Sequence, residues 1–272
     1  MNLKDYLDNQ KYLIDEALDE FLPAEKEEPV AIHRAMRYGV LSGGKRIRPI
    51  LVIETCDVCD GSREEAITAA CAIELVHAYS LIHDDLPSMD NDDMRRGKPT
   101  CHKAFGEANA ILTGDALLTL AFNVLAKNLG PETGVLAIRE LSDAAGTYGM
   151  VGGQAMDLES RDKVCDPDCL RSINSLKTAR LFEASCKIGG IIAEAAPKKI
   201  AALGKYGAAL GMAFQITDDA MDEEGYVKLV GAAKARLEAR DLVKKAKDAL
   251  AIFNDKADRL KELADFVVER KE

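Results

Sequence analysis

Two clusters of aspartate residues dominate the chemistry that this sequence could support. They are the run DDLPSMD at residues 84–90 and the run DDAMD at residues 218–222. On an α-helix, Asp218 and Asp222 lie one turn apart and about 40° apart around the axis. Carboxylates this close repel each other unless a cation lies between them, and oxygen-only ligand sets suit Mg²⁺, which also binds phosphate oxygens. The second cluster therefore predicts a metal site that handles a phosphate group.

The first cluster requires a break in its helix. On an ideal helix, Asp84 and Asp90 would lie about 240° apart and face away from each other. Pro87 disfavours helical geometry at Leu86, so we expect the turn to bring Asp90 back towards Asp84. A solvated acidic helix end is the alternative for either cluster. It is less favoured, because both clusters follow long apolar segments and because acidic groups at a helix C-terminus oppose the helix dipole.

Cationic donors are concentrated in two short, turn-rich segments, GGKRIRP at residues 43–49 and RRGKP at residues 95–99. Arginine offers a planar fork to phosphate oxygens and lysine a point charge, although a salt-bridged surface loop is the alternative for each segment. His77 precedes Asp84 by seven residues and therefore shares its helix face, where we expect it to donate to phosphate. Three further polar residues in helical segments give weaker signals of the same kind: Lys177, Thr178 and Gln215.

Helical periodicity dominates the segments that must position these residues. We predict helices over residues 64–83, 108–129, 132–150, 168–190, 198–221 and 228–270. The first of these is apolar nearly all round, which is typical of a helix at the centre of a large helical protein. Alternation typical of β-strands is hard to find, and no stretch has the composition of a linker. We therefore predict one all-α domain over residues 1–272.

Composition and charge exclude several other classes of protein. The 272 residues can bury a sizeable core, and 47% hydrophobic with 30% charged residues is typical of a globular chain. The net charge of −10 argues against sequence-independent binding of nucleic acid, but not against an anionic substrate bound through metal ions. No long apolar run and no signal peptide are visible, so we expect no membrane span and a cytoplasmic location.

The seven cysteines are expected to be reduced thiols, because the chain shows no secretion signal. Cys56 and Cys59, or Cys165 and Cys169, could instead suggest zinc. Neither pair is accompanied by a second pair at the spacing of a zinc ribbon, so we do not expect a zinc site.

Residues 81–100 (LIHDDLPSMDNDDMRRGKPT) resemble the first aspartate-rich motif of the trans-isoprenyl diphosphate synthases, and residues 214–222 (FQITDDAMD) resemble the second. The segments at 43–49 and 152–157 (GGQAMD), with the Lys177-Thr178 pair, follow the order and spacing of that family. The short-chain bacterial members, the farnesyl diphosphate synthases, are the most similar, since four residues separate the second aspartate of the first motif from the last.

This resemblance implies an all-α bundle around a deep central cavity, the isoprenoid synthase fold, usually as a homodimer. It also implies condensation of isopentenyl diphosphate with an allylic diphosphate, dimethylallyl or geranyl, to give farnesyl diphosphate. A geranylgeranyl product is the enzymatic alternative. A terpene cyclase would share the metal motifs but not the isopentenyl site, and a non-catalytic partner subunit would be expected to have lost metal aspartates.

The resemblance also implies a role for each matching residue. Asp84, Asp85 and Asp90 would hold two Mg²⁺ ions and Asp218 a third, with Mn²⁺ able to substitute. The allylic diphosphate or its leaving oxygens would be contacted by Arg95, Lys177, Thr178 and Gln215. The diphosphate of isopentenyl diphosphate would be bound by Lys45, Arg48, His77 and Arg96. Tyr79, with Ser80 beside it, would close the cavity floor and limit product length.

One segment departs from the family pattern. The second motif of the family is followed by a Gly- and Lys-rich lid whose lysine grips the allylic diphosphate, but here residues 222–225 run directly into Tyr226. About twenty residues are missing relative to that pattern. Either the protein lacks the lid, or the printed chain omits a loop, and the continuous numbering favours the second interpretation. An intact mass of 29.5 kDa would exclude it.

Overall fold

A computed structural model of the chain describes residues 2–161 and 165–269. Within these ranges almost all regular structure is helical, and strands are confined to a short antiparallel hairpin. The two strands of the hairpin are β1 (Met94–Arg95) and β2 (Lys98–Pro99), paired Met94 with Pro99 and Arg95 with Lys98. The all-α fold class predicted from the sequence is confirmed.

The helices of the first half of the chain are α1 Leu3–Phe21, α2 Val30–Leu41, α3 Ile47–Asp57, α4 Arg63–Asp84, α5 Cys101–Phe105, α6 Glu107–Asn128 and α7 Pro131–Ala145. They are followed by α8 Met150–Ser160, α9 Pro167–Asn174, a π-helical turn Ser175–Ala179, α10 Arg180–Ile192 and α11 Pro197–Asp222. The last elements are α12 Tyr226–Val230, α13 Ala232–Ala249, a 3₁₀ segment Leu250–Ala257 and α14 Asp258–Glu269.

The chain forms two compact units, which are described separately. The first unit is formed by the chain up to Ile50 together with Ile67–Val135. The second is formed by Leu51–Ala66 together with the chain from Leu136 onward. The single domain expected from the sequence stays a prediction.

Several predicted helices are shorter than expected, because tertiary contacts and backbone conformation interrupt them. The helix predicted over 228–270 is broken at Gly231 (φ 85°) and Asn254 (φ 53°), both in the left-handed region. The helix predicted over 132–150 ends at Ala145, and a Cβ at Gly149 would lie 2.0 Å from the carbonyl oxygen of Ala144. These interruptions separate elements that periodicity alone had merged.

Two helices of the described chain, α4 and α6, are long and apolar enough to cross a membrane by length and composition alone. In α4, 72% of the most apolar 18-residue window is buried, and in α6 the share is 39%. The core helices of globular proteins meet the same test, so this finding carries little weight. The expectation of no membrane span stays a prediction.

The core of the second unit brings α10 close to α11. A Cβ at Gly207 would lie 2.6 Å from the carbonyl oxygen of Phe182, and one at Gly211 would lie 2.7 Å from Cα of Ala179. Side chains larger than hydrogen would therefore force the helices apart. This close approach packs the middle of α11, the helix that carries the second aspartate cluster, against α10 and the π-helical turn.

Candidate active site

In the first unit, the chain turns back at the end of α4. Asp84 is the last residue of that helix, and the backbone N–H of Asp90 donates to the carbonyl oxygen of Asp84 at 2.8 Å. The N–H of Met89 donates to the carbonyl of Leu86 across Pro87. The predicted turn is confirmed, since the backbones of the two outer aspartates are in direct contact.

Asp85 is buried and already paired. Arg95 Nε donates to its two carboxylate oxygens at 2.7 and 3.0 Å, and Arg95 Nη2 lies 2.5 Å from Oδ1. Burial raises the pKa of Asp85, while the Arg95 guanidinium opposes that effect. The resemblance implied metal binding by Asp85 and substrate binding by Arg95, and the structure pairs the two side chains with each other. Among the described residues, no group of three or more His, Cys, Asp or Glu side chains is arranged to hold a metal ion.

Of the four residues predicted for the isopentenyl diphosphate site, Arg96 contacts the glycine pair of residues 43–44, and Arg48 contacts His77. Arg96 donates to the carbonyl oxygen of Gly43, and its Nη1 lies 2.9 Å from the position of a Cβ on Gly44, whose φ of 136° also favours glycine. Arg48 Nη1 lies 3.3 Å from Nε2 of His77. The fourth residue, Lys45, has an exposed side chain on the same loop.

His77 is neutral in this environment. Burial lowers its pKa well below the ordinary value, and the guanidinium groups of Arg48 and Arg96 lower it further. Because an arginine can only donate, Nε2 of His77 is the acceptor of the contact with Arg48. The proton of the neutral ring therefore resides on Nδ1.

Tyr79 and Ser80, predicted to limit product length, lie on α4 just before the first cluster. Tyr79 is 6% exposed, and its ring contacts the edge of His83 with centroids 5.8 Å apart. Burial, with a smaller contribution from Asp84, raises the pKa of Tyr79 to about 12, so the phenol is neutral. The hydroxyl of Ser80 donates to the carbonyl oxygen of His77 at 2.9 Å.

In the second unit, α11 continues through Asp222, which places Asp218 and Asp222 one turn apart as predicted. The second aspartate of the motif, Asp219, is 9% exposed. It accepts hydrogen bonds from Gln215 Nε2 at 2.8 Å and from the backbone N–H of Tyr226 at 2.9 Å. The connection after α11 is thus a closed turn anchored on a motif aspartate.

The Lys177-Thr178 pair lies in the π-helical turn. Thr178 Oγ1 donates to Gln215 Oε1 at 2.9 Å, so Thr178, Gln215 and Asp219 form one chain of hydrogen bonds. Lys177 Nζ lies 2.7 Å from Oδ2 of Asp157 on α8. The sequence predicted Lys177, Thr178 and Gln215 but missed the partners of each, although the GGQAMD run contains Asp157.

Gly153 of that run explains how α8 reaches the turn. A Cβ at this position would lie 2.2 Å from the backbone nitrogen of Lys177 and 2.6 Å from its Cα. Only glycine permits this approach, which brings Asp157 one helical turn further along within reach of Lys177 Nζ. A glycine pair inside a helical segment was the available signal.

The cysteines partly contradict the expectation of reduced thiols. Cys165 and Cys169 form a disulfide, with Cα atoms 5.5 Å apart. Asp166 accepts from the N–H of Cys169 and caps α9, and this turn holds the two residues together. Cys56 and Cys59 are free thiols.

The comparison with known proteins decides the family. The family model described as Polyprenyl synthetase matches residues 29–236, which is most of the chain. The chain belongs to the polyprenyl synthetase family. It is a short-chain trans-prenyltransferase, an enzyme of isoprenoid biosynthesis, as its similarity to farnesyl and geranylgeranyl synthases shows.

Individual relatives cover nearly the whole chain. The farnesyl diphosphate synthase of Escherichia coli is 39% identical over 94% of this chain and 95% of its own length. The crystal structure of an FPP/GFPP synthase from Zymomonas mobilis has a TM-score of 0.93 and 40% identity, covering 98% of this chain and 99% of that one. A large subunit of a heterodimeric geranylgeranyl pyrophosphate synthase from Arabidopsis thaliana is 41% identical over 97% of this chain and 78% of its own length.

The alignment lengths also show that one relative is locally longer than this chain. The alignment with the Escherichia coli enzyme extends over 283 positions, more than the 272 residues of this chain, although it covers 94% of the chain. That relative therefore carries residues without a counterpart in this member of the family.

Proposed function

We propose that this enzyme is a Mg²⁺-dependent farnesyl diphosphate synthase that condenses isopentenyl diphosphate with dimethylallyl and geranyl diphosphate. The observation that carries the proposal is the hydrogen bond between Asp90 and Asp84. It brings the outer aspartates of the first cluster together at the end of α4, beside a cationic loop. Aspartate oxygens alone form this donor set, which fits Mg²⁺, with Mn²⁺ able to substitute.

In the first unit, Asp84 and Asp90 are the proposed direct ligands of Mg²⁺ on the allylic diphosphate. Asp85 would join them only by releasing Arg95, whose guanidinium can otherwise reach diphosphate oxygens from the exposed side of the pair. When bound, the metal ions neutralise the charge that develops on the leaving diphosphate. The family uses divalent metal, and the total of about three ions follows from the resemblance.

For isopentenyl diphosphate, the proposed contacts are Lys45, Arg48, Arg96 and Nδ1 of neutral His77. A neutral donor is suited to this place because the surrounding arginines already supply positive charge. The arginines orient the diphosphate through paired N–H groups, and this leaves the alkene end of the substrate free to react.

In the second unit, Asp218 is the proposed ligand of a further Mg²⁺, and Lys177, Thr178 and Gln215 are proposed to contact the allylic diphosphate. The C–O bond of that substrate breaks, and its electrons leave with the diphosphate. The double bond of isopentenyl diphosphate attacks the allylic cation, and a proton is lost to the released diphosphate. No side chain serves as a nucleophile in this scheme.

The farnesyl product is proposed from Tyr79, whose buried ring lies five residues, or ~7.5 Å along the helix axis, before Asp84. A bulky ring at this depth would stop a chain from growing further. Several relatives are named as geranylgeranyl synthases, so a longer product is the competing outcome.

Homodimer formation is proposed from α6 of the first unit. This helix is apolar along its length, yet Ile111 is 46% exposed and Leu112 is 49% exposed. Covering such a face with the same face of a second copy would bury it. Sedimentation of the wild type as a dimer, and of Ile111→Lys/Leu112→Lys as a monomer, would support the homodimer. A monomeric wild type at micromolar concentration would exclude it.

A cytoplasmic location is proposed as well.

The decisive experiment incubates the purified protein with geranyl diphosphate, isopentenyl diphosphate and Mg²⁺ and separates the dephosphorylated products by chromatography. Farnesol is expected, with loss of turnover in EDTA and recovery with Mg²⁺. Asp84→Asn and Asp90→Asn should abolish turnover, whereas Asp8→Asn, an exposed aspartate on α1, should leave it unchanged. Geranylgeraniol would overturn the product assignment, and no product at all would leave a non-catalytic subunit as the interpretation.

A further inference from the structure

Arg46 differs from the other cations of its loop, because its side chain is only 1% exposed. All three guanidinium nitrogens are engaged. Nε lies 2.7 Å from Oδ1 of Asp15, Nη1 lies 2.5 Å from Oε1 of Glu74, and Nη2 donates to the carbonyl oxygen of Val40 at 2.7 Å. The Arg46 side chain is therefore directed into the protein and not towards solvent.

The partners of Arg46 lie on three different helices of the first unit: Asp15 on α1, Val40 on α2 and Glu74 on α4. One side chain thus ties the loop to each of these helices. The backbone of Arg46 also has φ 52°, in the left-handed region. A non-glycine residue keeps this conformation only where its surroundings hold it, and here the three contacts of the side chain do so.

The loop at Arg46 and the first turn of α3, which carries Arg48, are joined to α4 at two successive points of one face. Glu74 and His77 are three residues apart and are therefore neighbours on the helix surface. Arg46 binds Glu74, and Arg48 contacts His77. These two links fix both the position of the loop along α4 and its rotation.

We infer that Arg46 is a positioning residue for the isopentenyl diphosphate half of the site, an inference that rests on the proposed function. Its buried contacts hold the loop so that Lys45 is exposed and Arg48 lies against His77. The charge of Arg46 is neutralised by Glu74 and Asp15, so it organises the cationic loop without adding to the charge that meets the substrate.

The test compares Arg46→Lys, Arg46→Met and the double variant Arg46→Met/Glu74→Met. The single methionine variant leaves Glu74 buried without its partner and is expected to lose stability. The double variant removes both buried charges and restores folding, while Asp15 is partly exposed and remains solvated. Arg34→Met is the matched control, since it removes an arginine from an exposed ion pair with Glu25.

For the double variant we expect a KM for isopentenyl diphosphate raised by about 10- to 100-fold, the scale of an ångström-sized displacement of binding groups. The kcat and the KM for geranyl diphosphate should change by less than about threefold. Arg46→Lys, which can keep the ion pair with Glu74 but not all three contacts, should fall between the wild type and the double variant. Calorimetry with inorganic pyrophosphate provides a second readout that needs no turnover, and its affinity should fall in parallel.

A double variant with wild-type thermal stability and an unchanged KM for isopentenyl diphosphate would overturn the inference and show a structural role alone. A wild type without turnover would instead defeat the proposed function. In that case, pyrophosphate binding that is weaker in the double variant would still support the positioning role, and equal or absent binding in both proteins would overturn it.

Discussion

Replacement of Gly153 by alanine tests whether α8 positions the π-helical turn that carries Lys177. The new Cβ would lie 2.2 Å from the backbone nitrogen of Lys177, 2.6 Å from its Cα and 2.8 Å from the carbonyl carbon of Leu176. All three neighbours are backbone atoms, so no flexible side chain can move aside. An ordinary contact requires 3.4 Å or more, and the two segments must separate by about 1 Å, a displacement that can reduce a rate by about 100-fold.

Two quantities should change together in Gly153→Ala. Overpacking of this kind lowers the free energy of unfolding by about 1–3 kcal/mol, which urea or thermal unfolding would measure. The displaced Lys177 should lower kcat by about 100-fold with geranyl and isopentenyl diphosphate. Gly134→Ala is the matched control, because its Cβ would meet atoms of Leu125 and Leu129 at 3.5 Å, an ordinary contact. There the higher helix propensity of alanine should add up to about 1 kcal/mol, with turnover unchanged.

The outcomes of this experiment separate packing from catalysis. If Gly153→Ala loses stability but retains kcat, the contact between α8 and the turn is structural and Lys177 is not held for catalysis. If Gly153→Ala has the unfolding free energy and the kcat of the wild type, α8 and the π-helical turn do not approach as closely as described.

Three further predictions concern other parts of the chain. Tyr79→Ala should shift products towards geranylgeranyl chains, whereas Tyr79→Phe should keep the farnesyl product. If the chromatogram of Tyr79→Ala is identical to that of the wild type, Tyr79 does not limit product length. Glu54 is buried, and burial raises its pKa from 4.5 to about 7, so the folded state holds a proton that the unfolded state releases. The stability that this proton contributes is complete below pH ~4.5 and is lost as pH rises to ~7, by at most about 3 kcal/mol. Glu54→Gln should remove this dependence of the unfolding free energy on pH. Urea unfolding of both proteins between pH 4 and 8 measures it, and an unchanged dependence in the variant would contradict the assignment to Glu54. Thiol titration after denaturation without reductant should count five free thiols, rising to seven after reduction; seven in both conditions would rule out the disulfide of Cys165 and Cys169.

Local geometry accounts for what could be predicted from the sequence. The positions of Asp218 and Asp222 follow from helical repeat alone, and α11 confirms them. The return of Asp90 to Asp84 follows from the restriction that Pro87 places on its neighbour. Each of these inferences needs only residues within one segment, so no knowledge of distant packing was required.

The side-chain pairings within the site could not be predicted. The pairing of Asp85 with Arg95, and the burial of Arg46 against Glu74, depend on which side chains the packed helices enclose. The role of Gly153 could not be predicted for the same reason. A glycine within a helix lowers helix stability, and the sequence does not show which segment packs closely enough to require it. Its partner Lys177 is 24 residues away, and only the fold identifies it.

The two aspartate motifs use their adjacent acidic residues in different ways. Neighbouring side chains of a helix point about 100° apart, so when one is exposed at the helix end the next can be buried. Asp85 is 2% exposed and held by Arg95, and Asp219 is 9% exposed and accepts two hydrogen bonds. These two residues fix the rotation of the helix ends that present the proposed ligands Asp84 and Asp218. If the proposed ligand roles are correct, each pair of adjacent aspartates supplies one direct ligand and one residue that positions it, and replacing the positioning aspartate should weaken metal binding without removing that direct ligand.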